Sequence, residues 1–101
     1  MTPSASEKIA VFVTNFDATA VTDAARHVVA RALYDTLAVA VAGVHEPASR
    51  VMLDYARGQS GPHMASVWAT GDRLPVELAA LVNGTMAHAL DFDDVASPLR
   101  G

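Results

Sequence analysis

At 101 residues the chain has room for one domain and a modest core. Hydrophobic residues make up 51% and charged residues 18%, so some apolar surface is expected to meet further protein, either more of a longer chain or a partner subunit. A net charge of −4, scattered Lys and Arg and only 6% aromatics argue against a nucleic-acid partner, and the absence of cysteine excludes disulfides, thiolate zinc sites and a cysteine nucleophile.

Four helical segments are predicted in chain order. The first covers 4–16. Ser4 and Glu7 have the spacing of a capping box, and Ile9, Phe12, Val13 and Phe16 then recur at i, i+3, i+4, i+7 on one apolar face. A connection over 15–20 leads to the second segment, 22–42, which opens on Thr22 or Asp23 as N-cap and stops at Gly43. Small apolar residues on several of its faces predict a helix buried on more than one side. Its polar stripe, Asp23, His27, Arg31 and Asp35 at every fourth position, reads as an exposed edge laced with i,i+4 pairs.

Pro47 suits the first turn of a third helix, 47–57, in which Ala48, Val51, Met52 and Tyr55 share a face. Gly58 and Gly61-Pro62 end it. The stretch 65–70, with the only tryptophan, Trp68, reads as a short extended piece, and Gly71-Asp72 turns the chain. The fourth helix, 75–90, places Glu77 in the first turn, where a carboxylate suits the helix dipole, and aligns Val76, Ala79, Ala80, Asn83, Ala87 and Leu90 on one face. Gly84 inside it costs about 1 kcal/mol and would let another backbone or a ligand come close. The resulting fold class is all-α, with at most one short strand near Val67. Residues 36–44 form the longest apolar stretch, well short of a membrane span, and no targeting segment stands out, so the expected setting is soluble and cytoplasmic, with no membrane partner.

The chemically informative stretch is His88-Ala89-Leu90-Asp91-Phe92-Asp93-Asp94, with three carboxylates within four residues after an apolar helix. Like charges this close repel unless they are solvated, paired or metal-bound. The residues alone leave three readings open: a solvated helix end with Phe92 tucked inside, an oxygen-ligand site for a divalent cation, or a substrate pocket in which an aspartate trades protons with or orients His88. His27, His45 and His63 read as surface histidines, and Ser97 has no base close in sequence.

The segment from Leu74-Pro75-Val76-Glu77 through Asn83-Gly84-Thr85 into His88-Ala89-Leu90-Asp91-Phe92-Asp93-Asp94 resembles the signature of the MmgE/PrpD family. Leu33-Tyr34-Asp35-Thr36-Leu37 with Gly43, and Val67-Trp68-Ala69-Thr70-Gly71, resemble its upstream pieces in the same order. The likeness covers nearly the whole chain and implies that residues 1–101 are part of the family's N-terminal helical domain. It implies a cofactor-independent lyase or isomerase acting on small di- or tricarboxylic acids, as 2-methylcitrate dehydratase, cis-aconitate decarboxylase and iminodisuccinate epimerase do, with a dehydratase as first choice, no metal or organic cofactor, and a homo-oligomer.

Carried over by position, the resemblance makes Asp91 the catalytic residue and His88, Asp93 and Asp94 candidates for the substrate pocket. It also implies that the chain ends one residue short of the family's His-Pro-Ser segment, so that the remaining catalytic groups would lie downstream and the chain alone is expected to be inactive. The competing expectation is a truncated, non-catalytic helical module that self-associates or binds a partner.

Overall fold

The structure is a computed structural model and describes residues 2–92. Its described elements are helices α1 (Ala5–Asn15), α2 (Asp23–Ala42), α3 (Pro47–Arg57) and α4 (Val76–His88), and strands β1 (Ala65–Ser66) and β2 (Arg73–Leu74), with short 3-10 turns at Ala18–Ala20 and Gly43–His45. The all-α expectation holds, with one refinement. The extended piece before α4 is half of a minimal antiparallel hairpin, in which Ala65 pairs with Leu74 and Ser66 with Arg73. Gly71, at φ 74°, supplies the left-handed residue that closes it, a conformation glycine adopts without a Cβ penalty.

The chain divides into two compact units, Met1–Ala30 and Arg31–Gly101. In the first, the start of the helix is set by local capping. The Ser4 amide donates to Glu7 Oε2 at 2.6 Å and the Glu7 amide to Ser4 Oγ at 3.2 Å, the reciprocal capping box that the sequence predicts. Thr22 is the N-cap of α2, accepting from the Ala25 amide at 3.1 Å. The apolar stripe of α1 forms, with the Phe12 and Phe16 rings 5.4 Å apart, but Ile9, Phe12, Val13 and Phe16 all stay exposed.

The second unit holds the core: Ala40, Leu53, Ala56, Val67, Leu74, Ala79, Val82 and Met86. Here α3 lies on α4, the hairpin closes against α4, and the turn Gly43–His45 touches both helices. Burying side chains the size of Met86, Val82 and Val67 contributes about 1.5–3 kcal/mol each.

Several expected faces are rotated. In α3 the buried positions are Ser49, Leu53 and Ala56, while Val51 and Tyr55 face out. The periodicity of 47–57 fits either stripe. The one that wins contains a serine because Ser49 Oγ donates to the Gly43 carbonyl at 2.7 Å, which satisfies it inside the core. In α4 the buried set is Ala79, Val82, Asn83 and Met86, whereas Val76 and Ala80 are exposed.

Helix α2 is not buried on several sides: among its residues only Ala40 is buried, because only its C-terminal end enters the core. The segment Asp23–His45 also corrects the expectation about length. It is 23 residues long and contains an 18-residue window of mean hydropathy 1.3, so it is long and apolar enough to cross a membrane by length and composition. Its alanines and valines outweigh Arg31 and Asp35 in that average, although each charge near a bilayer centre would cost about 2.5–3.5 kcal/mol.

Candidate functional site

Helix α4 carries the candidate site at its C-terminal end. Ala89, still in right-handed helical conformation, caps it, and Asp91 then turns the chain with φ 55°. Among the described residues Asp91 is the only non-glycine with positive φ. Aspartate tolerates this region better than most residues, yet glycine is the usual choice at such a helix end. The Asp91 amide donates to the His88 carbonyl at 2.8 Å, so the turn that presents the carboxylate is closed by its own backbone. Asp91 is exposed.

His88, in the last turn of α4, is exposed as well. The structure therefore places Asp91 and His88 on one helical end three residues apart. Asp93 and Asp94, the other pocket candidates, lie outside the described residues, as does Ser97. Phe92 was expected to tuck inward and does not: it is 65% exposed, because the left-handed turn at Asp91 sends the chain off the helix before Phe92 can reach the core.

The supports behind this end come from residues read in the sequence only as caps, turns or ordinary helix positions. Asn83 is buried, and its amide holds the hairpin from both sides. It accepts from the Trp68 amide at 3.0 Å and donates to the Ser66 carbonyl at 3.0 Å. Asn83 is thus a clamp from the helix onto the hairpin. Its signal was the presence of an amide on a predicted buried face, which obliges a partner. Gly84 does not mediate a close approach, since nothing among the described residues would lie within 4 Å of a Cβ there.

Gly43 was read as a helix stop. It opens the 3-10 turn after α2 and is buried, and a Cβ on it would collide with the Met86 carbonyl oxygen. This glycine lets α4 close down on the turn.

A second polar cluster pins the hairpin to α3. Arg57 donates through Nε and Nη2 to the two Asp72 carboxylate oxygens at 3.0 and 2.8 Å, and Thr70 Oγ1 also donates to Asp72. These bonds, the Arg57 one first, hold the Asp72 carboxyl below the usual aspartate range, while Asp72 raises Arg57 above its ordinary value. Arg73 gathers the approach to β1 by donating to the carbonyls of Met64 at 2.8 Å and His63 at 3.3 Å. Every partner in these two clusters belongs to the fold, so they read as fastening rather than chemistry.

Comparison with known proteins bears on the family of the chain. The model of the MmgE/PrpD N-terminal domain matches residues 7–98. Human cis-aconitate decarboxylase is 35% identical over 69 residues, which cover 67% of this chain and 14% of that protein. The mouse cis-aconitate decarboxylase matches to the same extent, at 35% over 69 residues. The aligned part is therefore a small share of the relatives' length. No solved structure matches the chain.

Proposed function

The chain belongs to the MmgE/PrpD family through its N-terminal domain, and on that premise we propose that it supplies one wall of the active site of a cofactor-independent lyase or isomerase for small di- or tricarboxylic acids. The observation that carries the reading is Asp91: a carboxylate on a left-handed residue at the end of α4, exposed, three residues after His88. Non-glycine residues held in sparsely populated backbone regions cluster where function fixes them. The sequence resemblance favours dehydration of a 2-methylcitrate-like acid, and the name of the relatives, cis-aconitate decarboxylase, favours loss of carbon dioxide from a cis-aconitate-like acid. We place decarboxylation first and dehydration second.

Either reaction develops negative charge beside a carboxylate, which calls for a positioned acid or base and for cationic groups. Asp91 would exchange or orient a proton, with His88, Asp93 and Asp94 lining the same pocket. The cations would come from the remainder of a protein of the relatives' length, working as a homo-oligomer in the cytoplasm. The chain of 101 residues by itself would then be inactive.

The test is steady-state turnover of cis-aconitate and 2-methylcitrate by the full-length protein carrying this domain. Asp91→Asn should lower kcat by about 10²–10⁴-fold. Asp54→Asn, on an exposed carboxylate of α3, should change it less than twofold. Equal effects would remove the assignment.

A second reading rests on the exposed Ile9, Phe12, Val13, Val28, Val29 and Leu33. Apolar surface of this kind suits a non-catalytic helical module that self-associates. Light scattering of the isolated chain at micromolar concentration separates the two, since a well-behaved monomer would rule the second out.

A further inference from the structure

We propose that Gly43 is a positioning residue for Asp91, an inference that rests on Asp91 serving the site. Gly43 is buried, and its carbonyl is held from α3 by Ser49 Oγ at 2.7 Å and from the following turn by the Glu46 amide at 3.2 Å. A Cβ placed there would run into the Met86 carbonyl oxygen, lie 3.3 Å from the Met86 carbonyl carbon and sit 3.4 Å from the Ala89 Cβ. Met86 and Ala89 are three apart, so they form one row on the last turn of α4. Ala89 is the residue that caps the helix, and Asp91 follows it with its amide tied to the His88 carbonyl.

The end of α4 thus rests on the α-hydrogens of Gly43. The obstacle on the α4 side is backbone, which cannot rotate away as a side chain could, and the turn on the other side is fixed by a fully buried hydroxyl. A methyl group at 43 must therefore lift the last turn of α4, and the carboxylate of Asp91 with it. Gly84 on the same helix contrasts with this, for a Cβ there meets nothing within 4 Å. A displacement of about 1 Å at a reacting group is enough to cost on the order of 10²-fold in turnover.

The experiment compares Gly43→Ala, Leu74→Ala and Asp91→Asn in the full-length protein, by crystal structure, melting temperature and steady-state kinetics with cis-aconitate. Leu74 is buried at the opposite end of α4, about 20 Å away, and serves as the control for lost stability alone. Gly43→Ala should move the Asp91 Cα by about 1 Å and lower kcat at least tenfold more than Leu74→Ala does, with a KM change of under about threefold. An Asp91 that stays in place in Gly43→Ala overturns the inference whatever the kinetics. A moved Asp91 with unchanged kcat also overturns it if Asp91→Asn is impaired. If Asp91→Asn is unimpaired too, the assignment of Asp91 fails and the inference falls with it.

Discussion

The two units of this chain are alike in composition and opposite in how they use it. Residues 2–30 carry Ile9, Val11, Phe12, Val13, Phe16, Val28 and Val29, yet in that unit only Val21 is even partly covered. Residues 31–92 enclose the whole described core. The first unit shows what local terms contribute: a capping box marks where α1 begins, while none of its residues is buried among the described residues. The second shows what packing adds, namely a choice among faces, a buried serine and asparagine that are satisfied, and a glycine that touches the next helix. An apolar stripe is therefore a statement about where a helix can pack, and not about whether its partner is at hand.

The sharpest way to break this comparison is to truncate one large side chain in each unit of the isolated chain. Met86→Ala should cost about 2–5 kcal/mol in denaturant unfolding, because Met86 is fully buried and little can collapse into its place. Phe12→Ala should change the same transition by less than about 0.5 kcal/mol, because its ring is 64% exposed. A comparable loss from both would mean that the first unit is packed in solution.

Asn83→Ala comes next. It strands the Trp68 amide and the Ser66 carbonyl, at about 1–3 kcal/mol for each group left unpaired. Asn83→Asp should not restore stability, since it keeps the acceptor for Trp68, loses the donor to Ser66 and buries a charge. Amide hydrogen exchange at Trp68 reads this out directly: unchanged protection in Asn83→Ala would show that the clamp is not what holds β1.

Within the first unit, Ser4→Ala removes one half of the capping box and should cost about 1 kcal/mol of α1 helicity, seen by circular dichroism, while the unfolding midpoint of residues 31–92 stays put. A shift of that midpoint would couple the two units.

The smallest effect belongs to Asp72. Its carboxyl is held below the usual range by Arg57 and then by Thr70, so the folded state favours the ionised form. The resulting stability is fully present above the unfolded-chain value, near 3.9, and is lost as pH falls through the lower folded value. Asp72→Asn should therefore lower the melting temperature by a few degrees at neutral pH and by progressively less as the pH drops below about 4. The loss is modest because the Arg57 side chain is 49% exposed and solvent screens the pair. A difference that stays constant down to pH 2 would assign the effect to packing rather than charge.

Sequence determined a good deal here by itself. The four helices, the cap at Ser4, the choice of Thr22 or Asp23 as the second cap, the turn at Gly71 and the family signature that contains Asp91 were all legible, because helix period, capping chemistry and turn preference act over a few residues and need no partner. The backbone shape at Asp91 was not, and neither was the outward turn of Phe92. Only the tertiary structure decided which stripe of α3 and α4 is buried, that Asn83 clamps the hairpin, that β2 exists to pair with β1, and that Gly43 meets Met86 and Ala89. Those outcomes depend on which surfaces compete for a small amount of interior, where a hydroxyl or an amide wins its place only if a partner 6 to 17 residues away is within hydrogen-bond reach. Local pattern names the candidates for that competition, and the distances between elements settle it.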